Sequence, residues 1–517
     1  MRESASTLLP RATRAAALVR VMVPVMTLLL TPGCALVGRD YQAPPPTLEA
    51  SFIGSGASKV NSAPVAADIA TFWRGFNDAA LSALVERAVQ ANGDVRIAQA
   101  RLQASRADRS EVDAATLPSV GIEGNAGRAI SPPSSVFQSN RSARTGANFD
   151  ASFVANWELD FFGVARRAQE AAAALVGASV ASVGAVQISV AAEVARNYLE
   201  VRGLQLRSQV IHNALVNQRE SLAITQARVD AGRGTQLDLE RALTLTASTE
   251  AALPSLQAAI DLGLYRLATL SAQPPAELRA RLSTPAPLPS LPVTDLAALP
   301  IGTPQQWMAR RPDVAAAERR LAAATAEIGV AEGALYPSIS VSGLLGLAST
   351  QFADLTDSQS RRYSVGAGIT WTLLDFGRIR ARIKASEARS LEALATYEQT
   401  LATALEEAEG SFAQFSRNAQ RRESLARAER SASEATRLAR LRYDVGVTDF
   451  LAVLDAEREL LSTRDALAQA DAANATSLVA VYRALGGGWA VPAPASASAS
   501  ASASASASAS VATEPGR

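Results

Sequence analysis

Hydrophobic and polar positions along this chain follow two periods, and the two alternate in an order that occurs twice. Tyr363, Val365, Ala367, Ile369 and Trp371 fall on one face of a period-two run, with Ser364, Gly366, Gly368, Thr370 and Thr372 on the other. Ile339 and Val341 alternate with Ser338, Ser340 and Ser342. Earlier in the chain Phe149, Ala151, Phe153 and Trp157 oppose Asn148, Asp150, Ser152, Asn156 and Glu158, and Val120 and Ile122 alternate with Ser119, Gly121 and Glu123. Such alternation predicts strands with one apolar and one wet face. After each strand pair the period changes. Val180, Val194, Val201, Leu215 and Leu222 share one seven-residue register, and Val183, Val190, Leu204 and Ile211 the complementary one. The later stretch offers Leu391, Leu405 and Phe412, then Leu394, Leu401 and Phe415. No proline occurs from Ser134 to Leu253 or from Ser338 to Val491. A sustained period of about 3.5 predicts long helices packed along a coiled-coil seam. A helix of about sixty-five residues is roughly 100 Å long, which suits crossing a periplasm and not filling a globular domain.

The order repeats because the chain is duplicated. Trp157-Glu-Leu-Asp-Phe-Phe-Gly163 returns 214 residues later as Trp371-Thr-Leu-Leu-Asp-Phe-Gly377. Arg228 and Gly232 answer Arg442 and Gly446 at the same offset, as do Leu237 with Leu451 and Ala242 with Ala456. Upstream the offset is 219: Asp94 pairs with Asp313, Leu102 with Leu321, and Pro118-Ser119 with Pro337-Ser338. The length difference falls between proline and tryptophan, so only a connection varies, as expected for two copies of one structural unit. Asp230-Ala-Gly232-Arg233-Gly-Thr235 and Asp444-Val-Gly446-Val-Thr448-Asp449 each hold a helix-ending glycine followed by an N-cap candidate, so each predicts a helix-hairpin turn. Each unit then reads as a β-hairpin at one end and an antiparallel helix pair at the other.

Composition supports long helices over an aromatic core: of 517 residues, 48% are hydrophobic but only 5% aromatic, and alanine is abundant. The single histidine, His212, lies in a helical pattern and reads as a solvated helix position. With one cysteine besides, no nucleophile, metal-ligand or phosphate-loop constellation forms, so an enzyme is not expected and no cofactor is called for. Gly232-Arg-Gly234 and Gly366-Ala-Gly368 lack the strand–turn–helix context of a nucleotide site.

Residues 1–33 read as an export leader, with early arginines, an apolar run from Val21 to Leu30 and then Thr31-Pro32-Gly33-Cys34. Without it the chain holds 46 basic and 48 acidic residues, because Arg2, Arg11, Arg14, Arg20 and Glu3 leave with it. A surface so near neutrality makes no case for nucleic acid. Cys34 directly after a leader resembles a lipoprotein acylation site, although Thr31 stands where leucine is usual; an ordinary free cysteine at a cleavage site is the other reading. Acylation would place a diacylglycerol on the thiol and a palmitoyl group on the amine of Cys34. No segment after the leader reads as a transmembrane helix, so membrane crossing would fall to the strands. Two hairpins give four strands, fewer than the eight or so of the smallest membrane barrel. Open edges are not tolerated in lipid, so copies must pool strands, and a homotrimer would give twelve.

At this point the chain resembles the outer-membrane efflux channels, in their lipoprotein branch. The motifs are Gly38-Arg-Asp-Tyr41-x-x-Pro44, Phe72-Trp73-x-x-Phe76-x-Asp78-x-x-Leu81, Arg310-Arg311-Pro312-Asp313 with Ala317-Glu318, Ile328-Gly-Val-Ala331, Tyr336-Pro-Ser338, Trp371, Asp375-Phe-Gly377 and Asp455-Ala456. The resemblance implies a mainly α protein with a transmembrane β-barrel, whose trimer forms a 12-stranded barrel above a 12-helix periplasmic barrel. It implies a lipid-anchored outer-membrane location, a periplasmic adaptor and an inner-membrane resistance-nodulation-division pump as partners, and passive conduction of small toxic compounds. A same-fold duct for a protein-secretion exporter and a periplasmic coiled-coil scaffold are the alternatives. The expected layout is leader 1–33, acylated extended segment 34–80, first repeat 81–273, equatorial segment 274–304, second repeat 305–488 and a disordered Ser/Ala-rich tail 489–517. The resemblance further implies a periplasmic gate and adaptor-docking tip at the two hairpin turns, built from Gly232, Arg233, Asp444, Gly446, Thr448 and Asp449. Asp449 is the first choice for a ring of charge at the mouth and Asp444 the runner-up, since some related channels align the acid with Thr448. Capping the following helix is an alternative role for Asp449, compatible with the ring.

Overall fold

The computed structural model describes residues 36–45, 52–53, 71–130, 132, 145–294, 296 and 303–487. Cys34, the leader and the Ser/Ala tail lie outside them. The elements are α1 (Ala79–Ala91), α2 (Gly93–Ala114), β1 (Ser119–Ile130), β2 (Thr145–Leu159), α3 (Val164–Asp230), α4 (Gln236–Glu250), α5 (Ala252–Leu270), α6 (Pro275–Leu282), α7 (Pro304–Met308), α8 (Pro312–Gly333), β3 (Ser338–Ser349), β4 (Arg361–Thr370), α9 (Arg378–Asp444) and α10 (Phe450–Ala484).

The duplication is carried through to element boundaries. Both α3 and α9 run 67 residues, and both α2 and α8 run 22. The 35-residue helix α10 occupies the same stretch as α4 and α5 together. The first copy is interrupted because Pro254 has no N–H to give to the Glu250 carbonyl, so one helix ends at Glu250 and the next begins at Ala252.

By contacts the chain divides into two units. The first, residues 1–42, 108–173 and 322–391, holds one antiparallel sheet in the order β1-β2-β3-β4. Trp157 and Trp371 donate their indole N–H groups to the carbonyls of Thr116 (2.9 Å) and Leu335 (3.0 Å), repeat-equivalent bonds that tie the strand ends to the preceding helix ends.

The second unit, residues 43–107, 174–321 and 392–517, is helical. Here α3 is flanked by α4 and α5 on one side and by α10 on the other, and α9 pairs with α10. Close approach of α3 to α10 depends on small residues: a Cβ on Gly203 would lie 2.4 Å from Cβ of Ala472. Beside it Arg207 holds Asp465 at 2.8 Å. Ile211, Leu215 and Leu256 form a buried apolar cluster, with Leu204, Ala252, Leu253 and Leu461 against it. In α9 the buried line runs through Tyr397, Ala404, Ala408, Phe412 and Phe415, while Leu391 is 67% exposed. The register expected there is met in part: Phe412 and Phe415 lie on the buried line, Leu394, Leu401 and Leu405 are half-buried, and Tyr397, Ala404 and Ala408 complete the stripe.

The expectation that no segment after the leader reads as a transmembrane helix meets one exception by length and composition. Helix α3 contains an 18-residue window of mean hydropathy 1.8, long and apolar enough to cross a membrane. In this unit its Val190, Ala191, Val194, Ala195 and Leu199 are buried. Length and composition alone are weak evidence for a span.

The inter-repeat segment lies along α3, where Gln205 and Arg202 donate to the carbonyls of Leu282 (2.7 Å) and Thr284 (3.1 Å). Upstream, Asp78 accepts from the backbone of Ala80 and Leu81 to cap α1 and takes the Tyr198 hydroxyl at 2.7 Å. Burial and that carboxylate push the Tyr198 pKa up to about 12. His212 is exposed on α3.

A second pair of equivalent bonds closes each repeat. The buried Asn92 side chain donates to the Leu270 carbonyl (2.9 Å), and its counterpart Arg311 donates to the Ala484 carbonyl (3.3 Å). Arg311 also binds Asp313 and Glu407 (2.9 Å) and stacks over Trp307 at 5.3 Å. Arg311→Ala is expected to cost about 1–3 kcal/mol, the low end for a broken buried pair because both carboxylates reach water. Arg311→Lys should recover little, since an ammonium cannot fork to three acceptors. Denaturant unfolding in detergent, followed by helical circular dichroism, measures both.

Candidate channel wall and helix-hairpin tip

Strand register decides which side chains share a face. Phe153 sits between Ile122 and Leu345, and Leu345 faces Tyr363. Trp157 pairs with Val341, which pairs with Ala367, and Ile339 pairs with Ile369. One side of all four strands is thus apolar, and it is bare: Ile122, Phe153, Leu345, Val365 and Ile369 are each more than half exposed. The opposite side joins Ser119, Asn156, Ser342 and Gly366 in one row and Glu123, Ser152, Gly346 and Arg362 in another. Val154 and Leu344 are its apolar exceptions. On this wet side Arg362 reaches across β3 to the Ser152 hydroxyl (2.9 Å) and Asp150 (3.6 Å). A glycine stands beneath that crossing, since a Cβ on Gly346 would come within 2.4 Å of the Ser152 hydroxyl. Among the described residues strands β1 and β4 each have a single partner, which leaves both edges of the sheet open there.

The tip belongs to the helical unit. Gly232 and Gly446 have φ of +67° and +75°, and nothing crowds either, so glycine is there for backbone conformation. Arg233 N–H donates to the Arg228 carbonyl and Val447 N–H to that of Arg442, both at 2.8 Å, the same wrapped helix end in each copy. The next helices are capped in parallel: Thr235 accepts from Asp238 N–H and Asp449 from Ala452 N–H, each at 3.2 Å. The capping role for Asp449 is therefore present.

Asp444 and Asp449 are both exposed but differ in setting. Asp444 lines a 440 Å³ cavity among α3, α9 and α10, together with Gln218, Arg440, Glu457 and Arg464. Thr448 is half-buried, and Gly232, Gly446 and Arg233 are exposed. Among the described residues no ion pair joins Arg233 to either aspartate.

Other residues join the hairpins. The Arg228 guanidinium lies 4.2 Å from the Tyr443 ring centroid, and Tyr443 packs on Phe450 at 5.3 Å. Beneath them Ala242, Leu245, Phe450, Val453 and Leu454 form a buried cluster. Arg440 binds the buried Glu457 at 2.6 Å, and Ser221 donates to the same carboxylate. Sequence reading missed these partners, although the repeat-matched arginines at 228 and 442 beside Tyr443 were a visible signal.

A bare apolar sheet face backed by a polar one, joined to helices of 67 residues, defines a membrane channel class. The chain belongs to the outer membrane efflux protein family, whose model matches residues 84–273 and 303–487. It is 31% identical over 472 residues to outer membrane protein OprJ of Pseudomonas aeruginosa, covering 90% of this chain and 96% of that one. It is 29% identical to the solvent efflux pump outer membrane protein SrpC of Pseudomonas putida, covering 91% and 98%. The solved outer-membrane channel OprN superposes with a TM-score of 0.81 at 39% identity, over 88% of this chain and 99% of that one. The protein is thus an outer-membrane channel of an efflux pump and not an enzyme, which removes the coiled-coil scaffold.

Gly446→Ala forces a side chain into the left-handed region and should cost about 1–2 kcal/mol. Gly410→Ala, in the uncrowded interior of α9, should instead be neutral or stabilising by roughly 0.5–1 kcal/mol. Melting midpoints of the two purified variants in detergent compare the signs directly.

Proposed function

We propose that the protein is the trimeric, lipid-anchored exit duct of a tripartite pump of the resistance-nodulation-division type, carrying small toxic compounds passively outward. The observation that carries this reading is the four-stranded sheet with two open edges and one bare apolar face. Backbone groups on an open edge cost several kcal/mol each in hydrocarbon, so lipid requires closure by further copies. Three copies supply twelve strands, above the eight or so at which membrane barrels begin. Phe153, Val365 and Ile369 then meet lipid, while Asp150, Ser152, Arg362 and Thr370 line water. Acylation of Cys34 adds an anchor of apolar methylenes.

The helix-hairpin turns form the periplasmic mouth and the seat of the adaptor. In a trimer each turn occurs three times about the axis, so Asp449 makes a ring of charge there while still capping α10, with Asp444 set back in its cavity. Arg233 is the group free to reach a neighbouring copy's hairpin. Which compounds pass is a property of the pump, and SrpC, named for solvent efflux, marks one class of cargo for which the fold serves.

Charge on the lipid face near mid-membrane costs about 2–4 kcal/mol and little on the lumen face. Ile369→Arg should therefore reduce heat-modifiable, outer-membrane-assembled protein far more than Thr370→Arg does. Equal assembly of the two neighbours would refute the assigned faces.

Single-channel conductance in planar bilayers tests the mouth. Asp449→Ala should raise conductance or weaken block by polyvalent cations if the residue rings the axis. Unchanged conductance with a loss of about 0.5–2 kcal/mol in stability would leave it a helix cap alone.

A further inference from the structure

The chain beyond its acylation position is held by a clamp that the second repeat lacks. Arg167, on the first turn of α3, is 2% exposed at its side chain. Its Nε donates to the Val37 carbonyl (2.9 Å), and one terminal nitrogen donates to the Gly38 carbonyl (3.2 Å) and to Asp40 (2.7 Å). The other terminal nitrogen binds Glu170 at 2.6 Å. Val37 is buried and returns its own N–H to the Phe162 carbonyl at 3.1 Å.

The fit leaves no room for variation. Gly38 has φ of +85°, and a Cβ there would lie 2.6 Å from Cα of Gly329. A Cβ on Gly329 would in turn meet the Val37 carbonyl at 2.8 Å and Arg167 at 3.0 Å. The two glycines and the arginine thus form one slot for the backbone of residues 37–38. At the repeat-equivalent positions Arg167 becomes Ala381 and Gly329 becomes Ser110, so the slot exists once per chain. Conserved architecture does not need it; a single N-terminal segment does.

We infer that Arg167, Gly329 and Phe162 are the docking site that fixes where the lipid-bearing N-terminus meets the sheet–helix boundary. This rests on acylation of Cys34. Two residues separate Cys34 from Val37, three peptide steps, so its Cα stays within about 11 Å of that of Val37. The acyl chains are therefore tethered a short stretch of chain from Phe162, which stacks on Tyr336 at 5.0 Å in the same unit as the strand-end tryptophans. Arg167 is a positioning residue: the ion pair to the 87%-exposed Asp40 is screened, and the buried bond to the Val37 carbonyl, with the part-buried one to Gly38, does the holding. The clamp turns a lipid on a loose tether into one that enters the bilayer at a set place on the channel wall.

The test grows cells on a palmitate bearing an alkyne and a photoreactive diazirine, irradiates them and maps cross-linked peptides of the purified full-length channel. In the wild type, cross-links to the protein itself should concentrate in residues 145–166 and 334–361. Arg167→Ala should keep the label but scatter the cross-links, and the amide of Val37 should exchange hydrogen about tenfold faster or more. Gly38→Ala leaves the arginine and the body intact and should do the same, which covers a failure of Arg167→Ala to fold. Arg167→Lys should rescue only partly, since it cannot span both carbonyls. Identical cross-links and exchange in wild type and both alanine variants would overturn the docking site. A wild type that takes no label would instead remove the acylation reading, and the exchange of Val37 would still decide whether the clamp holds the segment.

Discussion

In hydrocarbon a backbone N–H or carbonyl without a partner has no water to turn to, and this constraint shapes everything that the sheet does. Helices satisfy their backbone groups internally and can end at a bare flank. Strands cannot. The four strands of this chain satisfy one another except along the outer edges of β1 and β4, and there the structure is incomplete by physical necessity. The bare apolar face poses the complementary problem in water, since so many exposed large side chains on one sheet face mark a surface meant for lipid or another protein. A membrane answers the face, and in the proposed assembly further copies would answer the edges.

Duplication makes that answer regular. The first repeat's β2 is bonded to the second repeat's β3, so one junction between repeats is already made within the chain. The equivalent junction, from β4 to a β1, needs a second copy, and rings built in this head-to-tail manner close when the rotation allows. Where the repeats keep the same task they keep the same bonds: Trp157 with Trp371, Asn92 with Arg311, and the paired glycine turns. Where a task occurs once per chain they diverge. Arg311 adds Glu407 to a bond that Asn92 makes alone, and Arg167 has an alanine for its counterpart.

These features explain what could be read from the chain and what could not. Strand faces were legible because alternation is local, and turn positions because Gly232 and Gly446 have a conformational duty that Asp and Thr caps follow at fixed spacing. The seam in α9 was legible at Phe412 and Phe415 and incomplete elsewhere: Leu391 has the right periodicity but is exposed, and the buried stripe includes Ala404 and Ala408. Alanine carries little hydrophobic signal and much steric permission, so a pattern of large residues overlooks it. A pairing between distant residues such as Arg167 with Val37 leaves no local trace, and that of Arg228 with Tyr443 leaves only the repeat-matched arginines beside the tyrosine. The cap role of Asp449 was legible in the turn, whereas the cavity beside Asp444 was not.

The same accounting of contacts separates the firm from the yielding parts of the helical unit. Along its length α3 is held to α10 by steric closeness at Gly203 and by the Arg207–Asp465 pair, interactions that tolerate no gradual separation. At the turns the apolar cluster of Ala242, Leu245, Phe450, Val453 and Leu454 is small, and the two hairpins meet above it through one cation–π contact. Such a contact is worth about 0.5–2 kcal/mol, within reach of what a docking partner supplies. Moving the hairpin ends apart while the cluster stays packed therefore demands far less than parting the helices along their seam.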